Sequence, residues 1–156
     1  MLYPKEFGSD PLFPQASDFK CEFKDHWSGQ GIMTLKAFKK GDTIAKLAGE
    51  VVNSMREHTF QIGHNKHLLD DYFAGHFLHS CDPNASINTK DRKVVALKII
   101  QAGEFISIDY THTEDYLFRQ FNCRCGSKKC RKVIAGKKEI PRSSLTVSGY
   151  YGDDDY

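Results

Sequence analysis

The hydrophobic pattern of this chain consists of short apolar runs separated by turn residues. Five runs either are rich in β-branched and aromatic residues or alternate between apolar and polar positions, which is typical of strands. Turns with glycine lie between several of them, at a spacing of about 8–12 residues. The pattern therefore predicts a mainly β domain, with strands at residues 32–38, 43–47, 60–62, 94–100 and 105–110.

Three other segments follow no regular period. Residues 1–20 are rich in Pro, Asp and Ser and contain four aromatic residues, so we expect an irregular N-terminal arm that packs through its aromatic side chains. Residues 53–60 predict either a short helix or a loop. Residues 113–121 predict one or two helical turns. No internal repeat and no long helical periodicity is present.

The composition is that of one globular domain. The chain has 156 residues, of which 40% are hydrophobic and 27% charged, and a formal net charge of +2; a chain of this length can build its own core. No apolar run approaches the ~18 residues of a membrane helix, and the N-terminus lacks a secretory signal. We therefore expect a cytoplasmic or nuclear protein with no membrane contact, whose cysteines are thiols or metal ligands rather than disulfides.

Charge is concentrated towards the C-terminus. Residues 124–138 contain seven basic side chains and no acidic one. Such a cluster allows weak contact with DNA, although a charged shell around a metal loop is the simpler interpretation. The acidic end, residues 153–155, either docks against basic groups or is solvated. These features do not predict an oligomeric state.

The densest chemical signal is a group of cysteines. Cys123, Cys125 and Cys130 lie within eight residues, and three thiols this close can bind one ion if the loop folds back at Gly126. Tetrahedral zinc requires a fourth ligand, for which Cys81 is the best candidate because it lies in a turn-forming segment. A four-cysteine site leaves no open coordination position and is structural. Free thiols or a redox cluster are the alternatives.

With the cysteines placed, the chain resembles the SET-domain family. Gly-Gln-Gly at residues 29–31 is similar to the family's opening Gly-x-Gly, and His-Ser-Cys-Asp-Pro-Asn at residues 79–84 is similar to its Asn-His-Ser-Cys-x-Pro-Asn motif. Gly-Glu-Phe-Ile-Ser-Ile-Asp-Tyr at residues 103–110 and the cysteine loop at residues 121–131 follow in the family's order. The main departure is Leu78, which stands where the family has the first Asn.

The resemblance implies a particular architecture. It predicts small β-sheets around a C-terminal pseudoknot, in which the segment after Tyr110 lies beneath the loop that contains His79. It also predicts that the cysteine loop is a post-SET zinc loop that takes its fourth thiolate from Cys81. The corresponding division is an N-terminal arm at residues 1–20, a SET domain at 21–118, a post-SET zinc loop at 119–136 and a C-terminal tail at 137–156.

The resemblance also implies an activity. It predicts methyl transfer from S-adenosyl-L-methionine (AdoMet) to the ε-amine of a lysine in a protein substrate, a histone or another basic protein, through a narrow apolar channel. Tyr110 would be the catalytic tyrosine. An aliphatic residue at position 108 would leave a roomy pocket and permit more than monomethylation. The expected cofactor contacts are Gly29, Gln30, Gly31, Tyr72, Leu78, His79 and Phe121, and the expected channel residues are Ile108, Tyr110 and Tyr72.

Two other functions remain open from the sequence. The loss of a polar side chain at Leu78 would weaken AdoMet binding, since one hydrogen bond contributes about 0.5–1.5 kcal/mol. The chain would then be a catalytically weak SET-like module that binds AdoMet or protein. Alternatively, the basic cysteine loop would make it a zinc-dependent nucleic-acid-binding protein.

Overall fold

The structure, a computed structural model, describes residues 2–142, and the predicted acidic end at residues 153–155 lies outside the described residues. Within this range the chain forms twelve short strands, one short α-helix and two 3-10 turns, Lys5–Phe7 and Ala74–His76. In chain order these are β1 Phe19–Asp25, β2 Gly29–Thr34, β3 Thr43–Lys46, β4 Glu50–Val52, β5 Thr59–Gly63, β6 Lys66–Leu69, β7 Leu78–His79, β8 Ala85–Asn88, β9 Lys93–Ala96, β10 Ser107–Ile108, α1 Tyr110–Thr113, β11 Phe121–Asn122 and β12 Val133–Ile134.

The strands form five small sheets. β1 and β2 make a hairpin, and β11 and β12 make another. Two three-stranded antiparallel sheets have the orders β3-β9-β8 and β4-β6-β5. β7 and β10 pair in parallel. The prediction of a mainly β fold with small sheets is confirmed. No helix in the described part of the chain is long and apolar enough to cross a membrane.

The parallel pair brings two distant segments of the chain together. Ser107 lies opposite Leu78, and Ile108 lies opposite His79. Asn84 holds the same two segments side by side, because its Nδ2 donates to the Phe105 carbonyl at 2.9 Å and its Oδ1 accepts from the Ser107 N–H at 2.9 Å. These two hydrogen bonds of one amide side chain fix the register of the two segments, and so the position at which Tyr110 follows β10.

The N-terminal arm packs through its aromatic residues, as expected. Tyr3, Phe13 and Phe19 are all buried in the main core. The Tyr3 hydroxyl donates to Asp70 Oδ2 at 2.6 Å, and the same fully buried carboxylate accepts the backbone N–H groups of residues 72–74. Asp70 therefore connects the arm to the turn that precedes β7, and so to the segment that carries the site.

The predicted ends of two strands were wrong. The strand expected at 32–38 ends at Thr34, whose hydroxyl donates to the Lys36 carbonyl and so turns the chain. The strand expected at 94–100 ends at Ala96. Residues 53–58 form turns, so the loop alternative holds there.

The prediction of helical turns at residues 113–121 is also wrong. The helix α1 begins earlier, at Tyr110, and ends at Thr113. After it the chain follows bends because its backbone binds other elements: the Asp115 N–H donates to Gln61 Oε1, and the Leu117 N–H donates to Glu139 Oε1, both at 2.8 Å. These tertiary hydrogen bonds replace the i to i−4 bonds that a helix would need.

Candidate functional site

Two clefts lie on either side of a shared wall. The cysteine-loop cleft opens between the β1–β2 turn and residues 121–125, and the β5 cleft opens between residues 55–60 and the segment that follows β10. Four side chains line both clefts and so form the wall between them. They are Ser28, Leu78, Tyr110 and Phe121.

Tyr110 is held at the centre of this wall. It is the first residue of α1, and its N–H donates to His79 Nδ1 at 3.1 Å. Its hydroxyl donates to the Phe77 carbonyl at 2.5 Å. The ring makes edge contacts with His79 and Phe121, at centroid distances of 5.2 and 6.0 Å. Contacts at the backbone, ring and hydroxyl fix the phenol in one orientation.

His79 connects the tyrosine to the cysteine cluster. Its side chain is only 3% exposed. Because Nδ1 accepts from Tyr110, the imidazole carries its proton on Nε2, which lies 3.4 Å from Cys81 Sγ. Burial lowers the pKa of His79 to about 4, against the opposing effect of Asp109. The ring is therefore neutral and acts as a positioning group rather than a charge.

Gly29, Gln30 and Gly31 lie at the start of β2, beside the wall. Gly29 has a φ of +71°, which favours glycine, and Gln30 lines the β5 cleft. Gly31 faces Leu78: a Cβ at position 31 would lie 2.7 Å from Leu78 Cγ. The close approach that requires glycine here is therefore to a neighbouring side chain of the protein itself.

The remaining predicted residues divide into two groups. Ile108, 5% exposed, lines the β5 cleft beside Tyr110, and Phe121 lies in the wall, so the structure brings both to the site. Tyr72, proposed for the cofactor and the channel, is not brought there. It is 47% exposed, lines neither cleft and packs edge-on against Tyr3 and Phe7 of the arm. Asp70 accepts both the Tyr72 N–H and the hydroxyl of Tyr3 in the arm, and so holds this backbone against the arm.

The four predicted cysteine ligands converge. The Sγ atoms of Cys81, Cys123, Cys125 and Cys130 all lie within 4.8 Å of one another. Cys81 Sγ and Cys123 Sγ are 3.9 Å apart, close to the ~3.8 Å between two sulfurs bound to tetrahedral zinc at ~2.3 Å. Cys21 is exposed and lies outside this group. The four-cysteine group fits a post-SET zinc site.

The four cysteines differ in how readily their thiols ionise. Burial raises the pKa of the Cys81 and Cys123 thiols. At Cys125 burial acts in the same direction, but backbone N–H groups and neighbouring thiols outweigh it and lower the pKa to about 6. A metal ion that binds here would displace the remaining thiol protons, because thiolates are its ligands.

The basic residues near the cysteines are largely paired. Arg131 forms a bidentate pair with Asp109, at 3.0 and 2.8 Å, which ties the cysteine loop to the residue that precedes Tyr110. Partners account for five of the seven basic residues in 124–138, which supports a charged shell around the loop. The other four pairs are Lys137 and Lys138 with Asp115, Lys129 with Asp82, and Arg124 with Trp27.

Trp27 and Arg124 belong to the site but were missed by the sequence reasoning, as was Ser28 of the wall. Trp27 and Arg124 both line the cysteine-loop cleft, and the Arg124 guanidinium lies 3.5 Å from the centroid of the indole. Trp27 lies just before the Gly-x-Gly segment, and Arg124 lies between two cysteines. No sequence pattern connects them, because their contact depends on how the cysteine loop folds back.

Comparison with known proteins identifies the class to which this arrangement belongs. The sequence model of the SET domain family matches residues 29–111, more than half of the chain. The chain therefore belongs to the SET domain family. The matched segment begins at the Gly-x-Gly turn and ends just after Tyr110, so it contains two of the four wall residues, Leu78 and Tyr110.

Two relatives show what related chains do. The Histone-lysine N-methyltransferase trithorax of Drosophila virilis is 30% identical, over 75% of this chain and 4% of the relative. The Histone-lysine N-methyltransferase Su(var)3-9 of Drosophila melanogaster is 28% identical, over 69% of this chain and 23% of the relative. This chain thus spans less than a quarter of the length of either relative.

Solved structures share the fold. KRYPTONITE in complex with mCHG DNA and SAH is 22% identical, with a TM-score of 0.59 over 74% of this chain and 29% of that chain. A second complex of KRYPTONITE, with mCHH DNA, an H3(1-15) peptide and SAH, has 21% identity and a TM-score of 0.54, over 67% of this chain and 27% of that chain. The mainly β architecture is therefore that of SET-domain structures.

Proposed function

We propose that this chain transfers a methyl group from AdoMet to the ε-amine of a lysine in a protein substrate. The observation that carries the proposal is the position of Tyr110 in a wall between two clefts. A methyl donor on one side and an amine on the other would meet at its ring. The relatives named as histone-lysine N-methyltransferases and the SAH in the KRYPTONITE complexes support the same chemistry.

The cysteine-loop cleft is the proposed cofactor side. His79 and Phe121 offer ring surfaces there, which suit an adenine. AdoMet would supply an electrophilic methyl on a sulfonium. Ser28 of the β1–β2 turn and Leu78 would contact it from the wall, with Leu78 contributing an apolar surface.

The β5 cleft is the proposed substrate side. The amine reacts only when neutral, and the reference pKa of lysine is about 10.4, so the substrate must lose a proton before transfer. Contact with the apolar side chains of Phe77, Leu78 and Ile108 would desolvate the ammonium and lower its pKa. The Tyr110 hydroxyl, fixed by the Phe77 carbonyl, would orient the amine lone pair towards the methyl group. Positioning of this kind can supply much of a rate enhancement.

The four cysteines would hold one structural zinc ion. Four thiolates leave no open coordination position, so the ion would take no part in the chemistry. Its role would be to fix the cysteine loop beside His79 and Phe121, and so to complete the cofactor side of the wall.

A histone is the proposed substrate, and the nucleus the proposed location. The names of the relatives support this choice, as does the H3(1-15) peptide in the KRYPTONITE complex. Contact with DNA through residues 124–138 stays a prediction, supported only by Lys128 and Lys132, which lack an acidic or aromatic partner among the described contacts.

The proposal is tested by methylation of recombinant histones and of a protein lysate with labelled AdoMet. Tyr110→Phe should lower the rate by about 100-fold or more, because the amine loses its orienting hydroxyl, while SAH affinity measured by calorimetry stays within about threefold. Tyr116→Phe is the matched control, because Tyr116 is 54% exposed. Equal rates in wild type and Tyr110→Phe would overturn the assigned role.

A catalytically weak binding module is the second candidate. The contact of Leu78 with Gly31 favours it, because an apolar side chain replaces an amide next to the proposed cofactor. SAH or histone binding without methyl transfer by the wild type would select this module. Leu78→Asn should then raise SAH affinity by up to about tenfold, the equivalent of one hydrogen bond.

A further inference from the structure

The β1–β2 turn and the cysteine loop touch across the cysteine-loop cleft. The guanidinium of Arg124 lies over the indole of Trp27, with its central carbon 3.5 Å from the ring centroid. Both side chains line the cleft that His79, Tyr110 and Phe121 also line. The Arg124–Trp27 stack therefore spans the cleft that we assign to the cofactor.

Both sides of the stack are held in place by their own elements. Asp25 accepts the backbone N–H groups of Trp27 and Ser28 through Oδ1, at 2.9 and 2.6 Å, and so fixes the turn that carries the indole. Arg124 lies between Cys123 and Cys125, two members of the four-cysteine group. A metal ion there would fix the backbone of the arginine, and only its exposed side chain would have freedom to move.

The chemistry of the stack suits a contact that opens and closes. Tryptophan is the aromatic residue that attracts a guanidinium most strongly, yet such a contact is weak where water reaches it. Arg124 is exposed, so the side chain can leave the indole at low cost. A contact between fixed supports that opens easily can let a small molecule pass without unfolding either element.

We propose that the Arg124–Trp27 stack closes the cysteine-loop cleft over the bound cofactor and slows its exchange. The inference rests on the proposed function, since it takes AdoMet and its product SAH as the occupants of this cleft. Trp27 and Arg124 are then positioning residues: they retain the cofactor and leave the methyl transfer step itself to the wall around Tyr110.

The test is the rate at which labelled SAH leaves the zinc-loaded protein after a chase with excess unlabelled SAH. Arg124→Ala should release SAH about fivefold faster, the factor that corresponds to ~1 kcal/mol for an exposed cation–π contact. Arg124→Lys should fall between it and wild type, because an ammonium keeps the charge but loses the planar stacking surface. Lys128→Ala, an exposed basic residue of the same loop without a described partner, should behave as wild type.

Further measurements separate loss of the Arg124–Trp27 contact from a general effect of substitution on the cysteine loop. Zinc content and thermal midpoint are determined for each variant, because Arg124 adjoins two cysteines. Trp27→Leu removes the other partner from a turn outside the cysteine loop and should also release SAH about fivefold faster with zinc retained. Trp27 is the single tryptophan of the chain, so its fluorescence should change on SAH binding in wild type and change less in Arg124→Ala.

The outcomes distinguish the two proposals. If wild type binds SAH but Arg124→Ala and Trp27→Leu release it at the wild-type rate, the stack has no role in retention and the proposed function stands. If the Arg124→Ala effect appears only with loss of zinc and Trp27→Leu has none, the inference is likewise wrong. If wild type binds no SAH, the proposed function fails and this inference fails with it.

Discussion

At the level of single residues, the side chain of Leu78 limits the space for a side chain at position 31. Leu78 is buried, and its Cγ and Cδ1 would lie 2.7 and 2.8 Å from a Cβ at position 31. Gly31 has an ordinary backbone conformation, so the constraint is the space that Leu78 occupies. The space that the leucine occupies therefore favours glycine at position 31.

We expect this dependence to appear in a double-mutant cycle of urea unfolding. Gly31→Ala should destabilise the fold by about 1–3 kcal/mol through overpacking, and Leu78→Ala by about 2–5 kcal/mol through a cavity. The double variant should be destabilised by clearly less than the sum, because the added methyl enters the space that the leucine leaves. Additive values would show that the two side chains do not compete for this space.

Ile108 is expected to control the number of methyl groups transferred. It lines the β5 cleft beside Tyr110 with an aliphatic side chain, so a partly methylated amine has room to turn and react again. Ile108→Tyr should narrow this space and shift the products towards monomethyl-lysine in mass spectrometry. Ile108→Val should keep the wild-type distribution. Monomethyl product alone from the wild type at exhaustive turnover would contradict the expectation.

At the level of elements, the change from β10 to α1 decides where Tyr110 lies. Asp109 ends the extended segment and caps α1, since its Oδ1 accepts the Thr111 N–H at 3.0 Å. The same carboxylate binds Arg131 of the cysteine loop. Burial acts to raise the pKa of Asp109, but its hydrogen bonds and the charge of Arg131 outweigh burial and lower the pKa below the ordinary value of 3.8.

The Asp109–Arg131 ion pair should stabilise the fold at neutral pH and lose this effect in acid. A carboxylate with a lowered folded-state pKa stabilises the fold above its unfolded pKa, and loses that contribution as the pH falls through the folded value. Asp109→Asn keeps a good helix cap and removes only the charge. It should cost about 1 kcal/mol or less at pH 7, and the difference from wild type should disappear near pH 2–3.

The measurement is the urea midpoint of wild type and Asp109→Asn at both pH values. Asp71→Asn is the control, because Asp71 is exposed and its carboxylate has no described partner. A difference between wild type and Asp109→Asn that persists undiminished in acid would show that the charge of Asp109 is not its source.

The strands that alternate or contain β-branched residues were predictable, and the irregular segments were not. Residues 43–47 and 60–62 were predicted close to their observed bounds, because each carries its apolar pattern within a few residues. The expected helix at 113–121 failed because the backbone N–H groups of Asp115 and Leu117 donate to the side chains of Gln61 and Glu139. Such partners are distant in sequence, so no local pattern reveals them.

For the whole molecule, the cysteine cluster is the main long-range link. It joins Cys81, beside β7, to three cysteines more than 40 residues later. The larger sheets share one core, whereas the smaller core of the cysteine loop contains Cys81, Cys123, Leu117, Phe121 and Ile134. This loop has few apolar side chains of its own, so it should depend most on a bound metal.

Removal of metal should therefore abolish function before it abolishes the fold. A strong chelator should release one zinc per chain and lower SAH affinity by at least about tenfold, while the β signal in circular dichroism is largely kept. Cys130→Ser should reproduce the loss, and Cys21→Ser, at an exposed cysteine outside the cluster, should not. Unchanged SAH affinity after complete zinc removal would show that the metal and the cofactor are not coupled.

The sequence by itself determined the chemical residues and their order. The Gly-x-Gly turn, the segment from His79 to Asn84, the Asp109-Tyr110 pair and the cysteine loop carry side chains that the family requires, and a linear motif records them directly. The fourth member of the cysteine group was also predictable, because tetrahedral zinc demands a count of four.

Only the tertiary structure decided how these residues face one another. It separated Tyr72 from the site, because the arm and Asp70 hold it elsewhere, and it placed Leu78 against Gly31 in the wall between two clefts. It also brought Arg124 onto Trp27, 97 residues apart in the numbering of the chain. Such contacts depend on how whole elements pack. The sequence does not predict them, because neither partner belongs to a periodic or local pattern.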